Sequence, residues 1–163
     1  MGERSERMIE RVRYMARKSS PELQLAIWEK TRKEVRSGTM GPPETLRSIQ
    51  EKYGKDFQIV PSFGLEQGEA ADGSKKFRRI DDHSACLNNQ VAHRMQKVPM
   101  AMADYVALLI KSASTLPEPD LLIASEDMKS AYRQVPLLAA HIRYSITAVY
   151  NPLSEEVDLH EIY

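Results

Sequence analysis

The spacing of apolar positions along this chain changes from stretch to stretch, and each spacing predicts an element. Between residues 3 and 18, Met8, Val12 and Met15 recur at intervals of three and four among Arg and Glu, which predicts a helix with one apolar stripe. A second helix is predicted after Ser20, whose hydroxyl suits an N-cap. Pro21 falls in its first turn, where a missing N–H does no harm. Leu23, Ile27 and Val35 form its stripe with Trp28 beside them, and Gly38 predicts its stop. A short helix is expected over Glu44 to Lys52. Phe57, Ile59 and Phe63 then mark extended chain, interrupted by Pro61, which has no N–H to give to a ladder and so predicts an edge strand or a bend. Gln67 to Ser74 has the Gly, Ala and Asp content of a hairpin tip, and strand resumes at Lys76 to Asp82.

Farther along, Pro99 opens a helix on which Met102, Val106, Leu109, Ile110 and Ala113 share one face, and this helix is expected to pack against a sheet. Its methionines read as core filler. The run from Leu121 to Ser125, opened by Pro117 and Pro119 and stopped at Glu126-Asp127, reads as a buried strand followed by a turn at Ser130 to Gln134. Ile146 to Tyr150 is a β-branched and aromatic run ended by Asn151-Pro152, and Val157 to Tyr163 begins its hairpin partner. Helices interleaved with hairpins give an α+β class. A sheet that stops there is expected to leave an open apolar edge.

Composition narrows the functional classes. With 163 residues the chain can bury one moderate core. Lys and Arg number 23 and Asp and Glu number 23, so nucleic-acid contact has to come from local patches and not from overall charge. Cys86 is the only cysteine, which rules out an internal disulfide and a cysteine-rich zinc site and suits a reducing, intracellular setting. No apolar run approaches a membrane span, the opening residues have no signal-peptide core, and Glu6 stands where a myristoylation signal needs Ser or Thr; no membrane partner is expected. His83 and His93 are ten apart without a Cys or His at zinc-like spacing.

Two patches carry candidate chemistry. Lys75, Lys76, Arg78 and Arg79 place four cations on the returning strand of the hairpin. Alternation puts Lys76, Arg78 and Ile80 on one face and Phe77, Arg79 and Asp81 on the other. Such a strand can grip phosphate, or it can simply be an edge guarded against aggregation. Asp127, at the end of a predicted strand, can hold a hard divalent cation, or it can be a turn or N-cap residue before Met128-Lys129-Ser130. The arginines of the first helix, Arg4, Arg7, Arg11, Arg13 and Arg17, could touch a phosphate backbone, although Glu3, Glu6 and Glu10 are interleaved with them.

Asp127 to Gln134, entered from apolar strand residues, resembles the first catalytic motif of reverse transcriptases, which pairs Asp with an aromatic residue five positions later, here Tyr132. Lys75 to Asn89, KKFRRIDDHSACLNN, is similar to the fingers strand of the same enzymes, with a basic residue, an apolar stretch, Asp82 and then Asn88 in order. The commonest form of that strand has an aromatic and a basic residue after this Asp; His83-Ser84 instead resembles the Asp-Asp-x-Ser variant of divergent retroelement polymerases. Trp28 to Pro43 is faintly similar to the segment leading into the fingers.

The resemblance implies the fingers and partial palm of a right-hand polymerase from a retrotransposon Pol polyprotein. Residues 1–52 would be a helical lead-in, and residues 53–163 the fingers and an incomplete palm. It implies RNA or DNA template-primer and a deoxynucleoside triphosphate as partners, with Mg²⁺ as cofactor. Arg78 would grip the triphosphate with Lys76 assisting, Asp127 and the Met128 carbonyl would be metal ligands, and Tyr132 would lie under the sugar and exclude a 2′-hydroxyl. Tyr132 also reads as a core residue beside Val135. The family's mechanism uses two metal ions about 3.5 to 4 Å apart held by more than one carboxylate. The family's Asp-Asp turn does not occur before Tyr163, and Glu126, Asp120 and Asp81 are poor substitutes. The chain alone is therefore expected not to synthesise DNA. Two alternatives are a non-catalytic nucleic-acid or protein interaction remnant that uses the same hairpin and first helix, and an unrelated α+β domain.

Overall fold

The computed structural model describes residues 2–69, 72–86, 103–115 and 137–163. The chain divides into two compact units, one of residues 1–92 with 135–163 and the other of residues 93–134. The described elements are α1 (Gly2–Arg17), α2 (Pro21–Arg36), α3 (Leu46–Tyr53), β1 (Ile59–Glu69), β2 (Lys75–Asp81), α4 (Ala103–Ala113), a 3₁₀ turn (Ala139–Tyr144), β3 (Ile146–Asn151) and β4 (Glu156–His160). The fold is mixed α+β: among the described residues four strands form one sheet in the order β2-β1-β3-β4. The β1–β2 and β3–β4 pairs are antiparallel, and β1 runs parallel to β3.

The larger unit forms where local signals and burial agree. The Ser20 hydroxyl accepts from the Leu23 N–H at 3.2 Å, Pro21 opens α2, and Gly38 takes a positive φ of 77° just past its end. Thr45 caps α3 by accepting from the Ser48 N–H at 3.1 Å. This helix starts two residues later than its sequence predicts, because the Glu44 backbone is engaged with Leu159 through bonds of 2.8 and 3.2 Å.

Alternation sorts the sheet into two faces. Ile59, Ile146, Ala148 and Leu159 meet Val12 of α1, Ile49 of α3 and Phe57 in one buried apolar cluster, with Met8, Ile9 and Leu46 packed against it. Residues 1–52 thus share a core with the sheet. Positions of opposite parity, among them Val60, Ser62 and Gly64 on β1 with their partners Asp81 and Arg79 on β2, serve the other face. There α2 is applied: a methyl group at Gly64 would lie 2.6 Å from Leu23 Cδ1 and 2.9 Å from Ile27 Cγ1, so only glycine admits this approach.

Two expectations about the sheet change. Pro61 was expected to mark an edge strand or a bend, yet β1 lies inside the sheet. The ring is tolerated because pairing with β3 ends at Pro61, opposite Ala148, and pairing with β2 begins at Ser62, opposite Asp81. The apolar edge expected after β4 is covered over its last residues. Gly41 N–H donates to Glu161 O at 2.8 Å, Glu44 N–H to Leu159 O at 2.8 Å and Tyr163 N–H to Thr39 O at 3.3 Å, so the link between α2 and α3 doubles as an edge cover. Beneath it, the buried Glu161 carboxylate takes Lys52 Nζ at 2.6 Å and Tyr53 Oη at 2.5 Å. Desolvation pushes that carboxyl up, but the bonds from Lys52 and Tyr53 outweigh it and hold the carboxyl below its ordinary range.

In the second unit, α4 forms as its periodicity predicts. Leu109 and Ile110, expected to face a sheet, are exposed, as is Leu108. The predicted strand at 121–125 and the turn at Ser130 to Gln134 lie outside the described residues.

Candidate functional site

The hairpin β1–β2 pairs Ser62 with Asp81 and continues to Glu66 opposite Phe77, after which the register shifts before Glu69 meets Lys75. Gly68, at φ 91°, lies in that shift, as expected of a bulge that needs a left-handed residue. At the tip, Asp72 accepts from the Ser74 N–H at 2.9 Å and from its hydroxyl at 2.6 Å, and Gly73 turns the chain at φ 79°. These bonds lower the Asp72 pKa, the hydroxyl bond most.

Strand parity then separates the four cations. Lys76 and Arg78 are exposed, and neither has an ionic or hydrogen-bonding partner among the described residues. Lys75 is also exposed and pairs loosely with Glu66 at 3.3 Å. Arg79 differs from all three: its side chain is only 3% exposed. Its Nη2 contacts Glu34 Oε2 at 2.7 Å, its Nη1 donates to Thr31 Oγ1 at 3.0 Å, and its Nε lies 3.3 Å from Asp81 Oδ1. Asp81 in turn accepts from the Ser62 hydroxyl on β1.

The root of β2 is tied to α1 as well. Asp82 Oδ2 pairs with Arg11 at 3.1 Å, its Oδ1 accepts from the Ala85 N–H at 3.0 Å, and its own N–H donates to Pro61 O at 2.9 Å. Arg4 donates to Cys86 O at 2.5 Å. Arg13 bridges Glu10 at 2.5 Å and Glu156 at 2.9 Å, and the hydrogen bond to Glu10, the larger influence, together with that to Glu156 raises its pKa. Arg7 donates to Glu3 O within the helix at 3.3 Å, so four of the five arginines on α1 are engaged, three of them with residues of other elements or loops.

Of the residues singled out in the sequence, Lys76 and Arg78 sit together on the outer face of one strand. Asp127, Met128, Tyr132, Asn88 and His93 lie outside the described residues. Among the described residues, no group of three His, Cys, Asp or Glu side chains is placed to hold a metal ion, and no helix is long and apolar enough to cross a membrane. Alternation in the sequence separated Arg79 from Lys76 and Arg78 but did not say which face turns inward, nor find the partners of Arg79. The signal is there in the spacing of Ile27, Thr31 and Glu34 at i, i+4 and i+7 on α2, which puts a hydroxyl and a carboxylate on the face that Ile27 buries.

Comparison of this chain with family models, with curated proteins and with solved structures finds no match.

Proposed function

We propose that the chain is the fingers and partial palm of a retroelement reverse transcriptase, and that its hairpin holds phosphate through Arg78 and Lys76. One observation supports this most directly. Of neighbouring cations on one strand, those at the motif positions are exposed and unpaired among the described residues, while Arg79 is buried and triply bonded. The planar fork of Arg78 can donate two parallel hydrogen bonds to phosphate oxygens, and Lys76 adds a point charge. The polymerase class itself rests on the resemblance of the Lys75–Asn89 and Asp127–Gln134 segments.

In this reading Arg78 and Lys76 draw the triphosphate or the template-primer backbone onto the hairpin. Asp127, with the Met128 carbonyl, serves as ligand for Mg²⁺, and Tyr132 rejects a ribose 2′-hydroxyl. Mg²⁺, when bound, lowers the electrostatic barrier between a primer hydroxyl and the triphosphate. The reaction needs a cluster of carboxylates, and Asp127 would supply one of them. A purely interacting remnant would use the same hairpin, but its second surface, α1, has Arg4, Arg11 and Arg13 already engaged.

Titration of a labelled primer-template against wild type and Arg78→Ala tests the reading. The substitution is expected to weaken binding about tenfold, the size of one hydrogen bond between charged groups. Equal affinities would remove the hairpin as a phosphate contact. Primer extension assayed with Mg²⁺ and with Mn²⁺ tests Asp127: any extension is expected to disappear in Asp127→Ala, and extension that survives the substitution would remove Asp127 from the site.

A further inference from the structure

We infer that Arg79 and Glu34 form a positioning clamp for the hairpin, so that an acidic residue on α2 strengthens the binding of an anion by β2. The inference rests on the phosphate-binding reading above. Among the described residues β2 is an edge strand, paired only with β1, and it carries four cations within five positions. Like charges so closely spaced repel, and a strand held on one side only is free to slip or splay. Slippage by one residue would exchange its two faces, turning Arg78 inward and Arg79 outward.

Arg79 opposes that exchange. All three guanidinium nitrogens are engaged, each by a group in a different direction: Thr31 at 3.0 Å and Glu34 at 2.7 Å on α2, and Asp81 at 3.3 Å along its own strand. A rigid plane held at three points fixes both the height and the parity of β2 at this residue. Parity at position 79 dictates parity at 78 and, two residues on, at 76. The α2 side of the clamp is itself fixed, because Thr31 donates to Ile27 O at 3.0 Å and Ile27 packs over Gly64 on β1, the residue paired with Arg79. The clamp therefore connects the packing of α2 to the outward aim of Arg78 and Lys76, none of which Glu34 touches directly.

A charge-only view and a positioning view make opposite predictions for Glu34. Removing a carboxylate raises the net positive charge and by simple attraction tightens the binding of a polyanion. Loss of the clamp loosens it. The test compares wild type, Glu34→Gln, Arg79→Lys and the double variant Lys76→Ala/Arg78→Ala. Each is read by primer-template affinity and by amide hydrogen exchange across β2 and β3. Glu34→Gln, which keeps an acceptor oxygen for Arg79 but removes the charge, is expected to weaken binding about fivefold, the difference between a charge-assisted and a neutral hydrogen bond. It is also expected to speed exchange in β2 while β3 stays protected. Arg79→Lys, which keeps the charge and one contact, is expected to fall between it and wild type. Glu34→Gln binding as tightly as wild type or more tightly, or unchanged exchange in β2, would overturn the clamp. If instead Lys76→Ala/Arg78→Ala leaves affinity untouched, the phosphate reading fails by itself, and exchange in β2 still decides whether Arg79 holds the strand.

Discussion

The inner and outer halves of the sheet are held by different forces. Around β3, β4 and the root of β1, cohesion comes from Ile59, Ile146, Ala148 and Leu159 packed on Val12 and Ile49, contacts that have no direction and tolerate no water. In the β1–β2 arm directional contacts are added to the packing of α2 on Gly64: Arg79, buried, to Glu34, Thr31 and Asp81, and Asp82 to a half-exposed Arg11. Apolar packing fixes that the sheet exists, whereas the ionic ties fix which way its outer strand faces. A buried ion pair is a poor source of net stability, since desolvation offsets much of its attraction, but losing one partner exposes that cost in full. Directional ties are therefore suited to orienting a charged strand, and the inner half supplies the rigidity they are anchored to.

This contrast can be broken most severely from the inner half. Ile146→Ala removes a wholly buried side chain from the centre of the cluster and is expected to lower stability by about 2–5 kcal/mol in urea unfolding. A loss below about 1 kcal/mol would mean the cluster is not the core. Gly64→Ala strikes where the halves meet. The new methyl would crowd Leu23 and Ile27, and the expected loss is about 1–3 kcal/mol, with β2 exchange rising more than β3 exchange. A neutral result would show that α2 can retreat without cost.

A smaller effect comes from His160, whose ring is buried with Nδ1 3.0 Å from Gly41 O. Burial pulls its pKa below the ordinary 6.5, and nearby Arg79 adds to this; the bond to Gly41 and the charges of Asp158 and Glu34 offset part of it. The folded state thus keeps the imidazole neutral where the unfolded chain takes a proton. Stability is unaffected above the unfolded pKa and falls as pH drops below it, until the folded pKa is reached. The urea midpoint is expected to decline as pH falls through and below the ordinary imidazole pKa of about 6.5, and His160→Gln to flatten that decline. An equal slope in the variant would place the proton uptake elsewhere.

Much of the fold was legible because local and tertiary signals coincide: Ser20-Pro21 and Gly38 bound α2, Asp72-Gly73-Ser74 turns the hairpin, and Asn151-Pro152 ends β3. What the sequence concealed depends on partners distant along the chain. Pro61 argues against an internal strand until one sees that its ladder changes partner there. The backbone of Gly41 and Glu44 carries no sign that it will cover β4. On the candidate site, alternation correctly divided Arg78 from Arg79, but only the meeting of α2 with β2 reveals that one is bound within the fold and the other exposed. Leu109 and Ile110 show the opposite limit, since an apolar stripe predicts a helix without saying what covers it.

The claim that β2 presents charge outward to phosphate is tested most directly by the salt dependence of primer-template binding. Each phosphate neutralised contributes about 0.9 to the slope of log affinity against log salt. Lys76→Ala/Arg78→Ala is expected to make that slope shallower by about two while leaving urea stability within about 0.5 kcal/mol. Parallel lines for wild type and the double variant would contradict the account.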